Sequence, residues 1–479
     1  PLGVLYLASM LMKKGHECRV LDFYAEPFNE DIYKMHLDWA DAVGITITSF
    51  TLAAASSLVF LTKILAPEKK IIVGGPHVSL YPEQILMDTP ADIAIMGEAE
   101  YSIEKIAKAL SEKTAPEVLA EIPGVRVKVY SDTASEVKFQ MSFVSEELKS
   151  RLKAQLEALG PTIRKFTVIG SKQPEIIEDL DSLPFPAREL VSHYDYGHLL
   201  GSRLTKGKFT SIITSRGCPM SCRFCTRLFF GMNTFRARSA ENVLGELRQI
   251  KKEGYDTVIF VDDNFTANRK RAMKIMNSIA EEKMGLELWV QGRVDAANRE
   301  LFEAMKRAGV TLMLFGIESG NQDTLDYYNK KITLEQAEKA VRLSKEMGFF
   351  TESYFILGAE IETEKHFRKT IAFAKKLPLD LVYFLPLEYA AGAQLWNEAV
   401  AAGKIQPHEY LIYAGKERGL AKYDSKEILA WCKRAHKEFY MRPSYWWNLY
   451  WEGRKKNDLR LFHIMRKYLW SEARKVVLD

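Results

Sequence analysis

Cysteine is scarce in this chain, long apolar runs are missing, and the two signs of charge nearly balance. Five cysteines in 479 residues, three of them crowded together, do not make a disulfide framework and point to a reducing, cytoplasmic setting, where clustered thiols bind metal or do catalysis. No apolar run reaches the roughly 20 residues that a membrane-spanning helix needs. Thr51 to Ala66 comes nearest, but Ser56, Ser57 and Lys63 interrupt it and a core helix is the better reading. A formal charge of +5, from 67 basic and 62 acidic residues, implies no general polyanion partner, and no nucleic acid is expected. The surplus is local: from Lys404 to the end, 17 Lys and Arg stand against 9 Asp and Glu. No signal peptide, internal repeat or low-complexity tract stands out.

What the chain has is the periodicity of two α/β regions, and 47% of its residues are hydrophobic, enough for sizeable cores. Residues 1–125 alternate helical patterns with nearly continuous apolar runs, "CRVLDF", "AVGITIT", "KIIVGG" and "IAIMG". Such runs fit a parallel sheet covered on both faces, hence a doubly wound unit. Pro1 falls where a strand should already have ended, so the numbered chain is expected to start inside its first domain, with the first strand missing. Small residues sit at the strand ends, namely Gly44, Thr46, Gly74, Gly75 and Gly97, the last followed by Glu98. Ligands of such sheets lie outside the carboxyl ends of the strands, although glycine there also serves plain tight turns.

Residues 126–205 are read as a linker region: "IPGVRVKVYSD" resembles the start of a hairpin, "SEELKSRLKAQLEAL" a polar helix, and "LDSLPFPAREL" a proline-rich connector. From 206 to 400 the β/α alternation returns with six strand candidates, "FTSIIT", "TVIFV", "LELWV", "TLMLF", "ESYFIL" and "DLVYFL". Polar or special residues follow most of them at once: the three clustered cysteines, then Asp262, Asp263 and Asn264, then Gln291 and Arg293, then Gly316, Glu318 and Ser319, then Gly358, then Glu388. Reactive groups of β/α barrels gather at that end of the strands, and six units make a partial barrel. Residues 401–479 read as a small helical C-terminal domain, basic and aromatic. Its Trp446, Trp447, Tyr450 and Trp451 are either packing anchors or contacts to a membrane surface or lipid-like substrate.

The stretch "SRGCPMSCRFCTR" holds Cys218, Cys222 and Cys225. Spacing of four and three would suit one helix face, but Gly217 and Pro219 flank the first cysteine and favour a loop. Zinc normally takes four ligands, and no fourth donor lies near in sequence. Iron–sulfur clusters take cysteine thiolates, and three ligands on a four-iron cluster leave one iron open.

This Cys-x3-Cys-x2-Cys run, with Phe224 before its last cysteine, resembles the radical S-adenosylmethionine (SAM) superfamily. "VIFVDDNFT", "WVQGRVD", "FGIESGNQDTLD" and "LDSLPFPAREL", together with "PLGVLYLASMLMKKGHECRVLDF", "IIVGGPHVSLYPE" and "MGEAE", are similar to its subgroup with an N-terminal cobalamin-binding domain. The resemblance implies a four-iron four-sulfur cluster on Cys218, Cys222 and Cys225, with SAM on the open iron. It implies backbone contact of Phe224 with adenine, and makes Asp262, Asp263, Asn264, Gln291, Glu318 and Ser319 candidates for the methionine and ribose parts. Thr46, Gly74, Gly75, Ser79, Gly97 and Glu98 would line the cobalamin. Aligned on "VLDF", the cobalt-ligating histidine of Asp-x-His-x-x-Gly proteins falls near Leu2, so cobalamin without a histidine on cobalt is expected, and His77 is read as an ordinary turn histidine. The subgroup's Gly-x-Pro-Gly-Glu-Thr is here "GAEIET", and its Pro-Gly-Thr-Pro-Leu is "AGAQL".

The resemblance implies an enzyme that methylates an unactivated carbon of a small-molecule or lipid-like substrate through a 5′-deoxyadenosyl radical and methylcobalamin. An external electron donor of flavodoxin or ferredoxin type goes with it. The alternative is oxidative cyclisation or ring rearrangement with the same cofactors, and a lesser one is a non-enzymatic corrinoid carrier or sensor. A tRNA methylthiotransferase would need a second cysteine triad, and only Cys18 lies in the N-terminal region.

Overall fold

A computed structural model describes residues 1–131, 136–137, 149–150, 164–171, 173–226 and 234–467. It divides into two units, Pro1–Tyr194 and Asp195–Asp479.

In the first unit, the β-branched runs form parallel strands Ala42–Thr46 (β1), Lys70–Gly74 (β2) and Ile93–Ile95 (β3). Ile71 and Val73 on one face are fully buried and Ile72 on the other is 8% exposed, as strands covered on both faces require. Three antiparallel strands extend the same sheet: Val125–Tyr130 (β4), Glu136–Val137 (β5) and Arg164–Gly170 (β6), in the order β1-β2-β3-β4-β6-β5. Part of the region read as a linker is therefore sheet. The polar helix expected near 145–160 lies almost wholly outside the described residues.

"CRVLDF" is not a strand. A strand needs a ladder partner, and among the described residues β1 pairs on one side only. The run is apolar for another reason: Leu21 and Phe23 pack against a core of Tyr33, Leu37, Phe60 and Phe166.

The second unit holds six parallel strands in sequential order, as the β/α alternation predicts: Phe209–Ile212 (β7), Thr257–Phe260 (β8), Glu287–Gly292 (β9), Val310–Glu318 (β10), Phe350–Leu357 (β11) and Leu381–Pro386 (β12). Helices between them start on side-chain caps, for example Ser239 on Asn242 and the reciprocal pair of Thr333 and Gln336. Alternate strand residues turn to these helices and are sealed: Val258, Phe260, Leu288, Met313, Phe355 and Val382 are 0% exposed. The other face stays partly open.

The C-terminal helices belong to this unit. Ser425–Tyr440 and Pro443–Lys455 close the free edge of β12, whose backbone would otherwise be unpaired. Tyr440 donates its hydroxyl to the Val382 carbonyl and accepts from the Val382 N–H, each at 2.8 Å. Nε2 of His436 accepts from the Phe384 N–H at 3.1 Å. Burial lowers the affinity of His436 for a proton, consistent with a neutral ring in this acceptor role.

Candidate active site

The three cysteines lie just past the carboxyl end of β7, in a loop clasped at its base by antiparallel pairing of Ser215–Arg216 with Arg236–Ala237. Gly217 enters it at φ +80°, a conformation that favours glycine. None of the three forms a disulfide; Cys218 and Cys222 are buried and Cys225 half-buried. Among the described residues no three His, Cys, Asp or Glu side chains are grouped so as to hold a metal ion.

A distant turn, Tyr327 to Lys330, grips the loop, and sequence reasoning missed it. The Arg223 N–H donates to the Tyr328 carbonyl at 3.0 Å, and the Arg223 guanidinium to that of Tyr327 at 2.9 Å. Asn329 Nδ2 donates to the Ser221 carbonyl and hydroxyl at 2.8 and 2.9 Å. The Phe224 ring stands edge-on to buried Tyr328, with centroids 5.2 Å apart. About a hundred residues separate the partners, and nothing local in "YYNK" announces the contact.

Each residue expected near SAM can now be placed. Asp262, 1% exposed, accepts from the Thr214 N–H and hydroxyl and from the Ser215 hydroxyl, so it fastens the chain just before the cysteines. Burial pushes its carboxyl up while these bonds oppose the shift. Asn264 accepts from the Thr266 hydroxyl at 3.0 Å, and Asp263 is half-buried nearby in sequence. Gln291 sits half-buried on the open face of β9. Glu318 ends β10 at φ +72°, uncommon for a residue with a side chain. It pairs with Lys330 at 2.6 Å, both groups buried, and Lys330 Nζ lies 5.8 Å from the Phe224 ring centre. A Cβ on Gly316 would come within 2.4 Å of Glu318 Oε1, so the glycine of "FGIES" makes room for this pair. Ser319 turns elsewhere: fully buried, it accepts from the Asn321 N–H and faces Thr370.

Arg293 was read only as a polar residue after a strand. It is buried, holds Asp295 through two 3.0 Å bonds and donates to the Lys330 carbonyl at 2.8 Å. Burial works against its charge, but Asp295 and the nearby Cys222 and Cys218 outweigh that and raise its pKa. Three cysteines on one loop, two of them near this fixed positive charge, suit an iron–sulfur cluster. In the departing loop "GAEIET", Glu362 is fully buried and accepts from the N–H groups of Gly358 and Ala359 at 2.8 and 3.0 Å, which fixes the loop without proline.

In the first unit, Thr46 is exposed at the end of β1, and the Cβ position of Gly44 has nothing within 4 Å. For Gly74 the nearest atom is 3.7 Å away, so backbone at these strand ends can be approached by a large flat molecule such as a corrin. Gly75 and Gly97 are different. Their φ values are +101° and +67°, and a Cβ would strike Thr46 and Ile47, or Pro174, so tight local packing alone requires glycine. Ser79 links the two turns, donating to the Gly75 carbonyl at 3.0 Å and accepting from the Gly97 N–H at 2.8 Å. Glu98 accepts from the Ile177 N–H at 2.7 Å. His77 is 3% exposed with Nδ1 3.0 Å from the Ser49 hydroxyl, and burial lowers its pKa to about 4.

Residues 1–107 match the B12-binding domain family, and residues 212–374 match the radical SAM superfamily. The chain carries a B12-binding domain and a radical SAM domain. These domains imply a four-iron four-sulfur cluster, SAM and cobalamin as cofactors. An uncharacterized methyltransferase of Pyrococcus horikoshii is 29% identical over 92% of this chain and 88% of its own length. The cytidylyl-2-hydroxyethylphosphonate methyltransferase of Streptomyces wedmorensis is 25% identical over 94% and 88%. The anaerobic magnesium-protoporphyrin IX monomethyl ester cyclase of Cereibacter sphaeroides is 23% identical over 93% and 67%. Among solved structures, the cobalamin-dependent SAM radical enzyme OxsB with aqua-cobalamin and SAM bound aligns over all of this chain and 78% of its own, with a TM-score of 0.65 and 15% identity. That likeness is one of fold.

Proposed function

We propose that this chain is a cobalamin-dependent radical SAM methylase acting on an unactivated carbon of a small-molecule or lipid-like substrate. The observation that carries the reading is one chain holding a B12-binding domain and a braced loop of three cysteines at the carboxyl ends of a six-stranded parallel sheet. When bound, the cluster with SAM supplies one-electron cleavage chemistry and cobalamin supplies a transferable methyl group. The protein's part is to hold and screen. Cys218, Cys222 and Cys225 would hold the cluster, with Arg293 beside two of them. Phe224, Asp263, Asn264, Gln291 and Glu318 border the space for SAM, while Asp262 fastens the loop from behind and Ser319 anchors its own turn. Gly44, Thr46 and Gly74 leave backbone open to cobalamin, and Ser79 with Gly75, Gly97 and Glu98 shapes the turns around it.

The test is anaerobic incubation of the reconstituted protein with cell extract and SAM bearing a deuterated methyl group. A product carrying that methyl is expected. Product that loses hydrogens and gains no methyl would instead favour the cyclase alternative, which the resemblance to the protoporphyrin ester cyclase supports.

A cytoplasmic setting and an external one-electron donor of flavodoxin or ferredoxin type complete the reading. So does peripheral contact with an anionic membrane. Trp446 packs inward, donating to the Tyr440 carbonyl, whereas Trp447 and Trp451 of Pro443–Lys455 are 66% and 44% exposed, with exposed Arg454 and Lys455 on the same helix. Aromatic and basic residues together suit a lipid interface. Among the described residues no helix is long and apolar enough to cross a membrane. Phosphatidylglycerol vesicles are expected to co-sediment the protein, and Trp447→Ser with Trp451→Ser to abolish this; equal recovery of both proteins would refute the contact.

A further inference from the structure

The open face of the second sheet carries a buried carboxyl, that of Glu352, beside two stacked tyrosines. Strand alternation sends Glu352 and Tyr354 of β11, and Tyr383 of β12, to the side away from the helices. At the strand ends this side is exposed: Leu385, which shares it, at 44%, and Val261 just past β8, at 40%. Register sets Tyr354 beside Tyr383, and Glu352 between Leu314 and Leu381. The tyrosine rings stack with centroids 5.2 Å apart and planes at 20°. Glu352 is 9% exposed, and among the described residues no ion pair to it is formed. Burial pushes its carboxyl up, against a hydrogen bond with Tyr354. Lys330 is occupied by Glu318, whose charge also bears on Tyr354.

We propose that Glu352, Tyr354 and Tyr383 form the substrate-recognition floor of the barrel, taking a flat ring that bears a hydrogen-bond donor, an ammonium or a hydroxyl, and rejecting an anionic group at that position. The proposal rests on the enzyme reading above, since a substrate is what the open face would receive. A carboxyl buried without a cation is costly, and a donor or cation arriving with the substrate relieves that cost. An anion would meet like charge in a poorly solvated place. Paired tyrosine faces attract both rings and cations.

The test uses the reconstituted full chain and two probes with the same ring and opposite charge, 2-naphthylmethylammonium and 2-naphthoate, with binding measured by calorimetry at pH 7. The ammonium is expected to bind about tenfold or more tightly than the carboxylate. Glu352→Gln should erase that preference, and Tyr383→Ala should weaken the ammonium probe. Circular dichroism checks that each variant is folded; should Glu352→Gln not fold, the wild-type preference and Tyr383→Ala still decide. Equal affinities, a preference for naphthoate, no binding of either probe, or a preference that survives Glu352→Gln would overturn the proposal. Deuterated methyl in product without an ammonium preference defeats this inference alone. An ammonium preference without methyl transfer defeats the methylase reading and leaves a ring-binding site.

Discussion

Cys222→Ala is expected to yield a folded protein that assembles no four-iron cluster and cleaves no SAM above background. Folding should survive because the loop is held by contacts other than the thiol: the Arg223 bonds to Tyr327 and Tyr328, the Asn329 bonds to Ser221, and the clasp at Ser215–Arg216. Cys222 is buried, so losing its sulfur costs some packing, but far less than the loss of one of only three cluster ligands. Iron and sulfide analysis after anaerobic reconstitution, with circular dichroism as the folding control, checks it. Full iron content and undiminished SAM cleavage would show that Cys222 is not a cluster ligand; a wild-type chain that takes up no iron and cleaves no SAM would revive the corrinoid carrier.

Lys330→Met is expected to damage both stability and SAM binding. The substitution keeps an unbranched apolar stem but leaves Glu318 buried without its cation, a change that costs about 3–5 kcal/mol where a buried pair loses one member. Glu318 is held at φ +72° at the end of β10, so it has little freedom to turn toward solvent. Pairing Lys330→Met with Glu318→Gln removes the stranded charge and should recover much of the stability. SAM affinity should stay low in the double variant if Glu318 contacts the ligand. Denaturant midpoints and equilibrium dialysis with labelled SAM separate the two effects. Full recovery of SAM affinity in the double variant would mean that the pair only braces the loop.

The sequence revealed those features whose cause is local. Six strands of the second unit follow from short β-branched runs between helical patterns, and the cysteine loop from thiols at fixed spacing beside Gly217 and Pro219. Features set by long-range pairing were hidden. "CRVLDF" has the composition of a strand but no ladder partner, and Val125–Tyr130 and Arg164–Gly170 join a sheet that their surroundings did not suggest. Polar residues after strands were ambiguous for the same reason. Asp262 and Ser319 look alike in sequence to Asn264 and Glu318, yet Asp262 fastens Thr214 and Ser215 on the neighbouring strand end and Ser319 binds its own turn. Glu352 was invisible because an acid in the middle of a strand carries no motif, and only the open face of the sheet gives it a purpose.

The account depends above all on three cysteines gripping a cluster whose remaining iron is free to take SAM. Electron–nuclear double resonance on the reduced, reconstituted protein with SAM labelled in its carboxylate measures this directly. Hyperfine coupling between the label and the cluster is the result expected. A cluster that forms but shows no coupling at saturating SAM, or whose fourth iron is held by a protein side chain, would contradict the account.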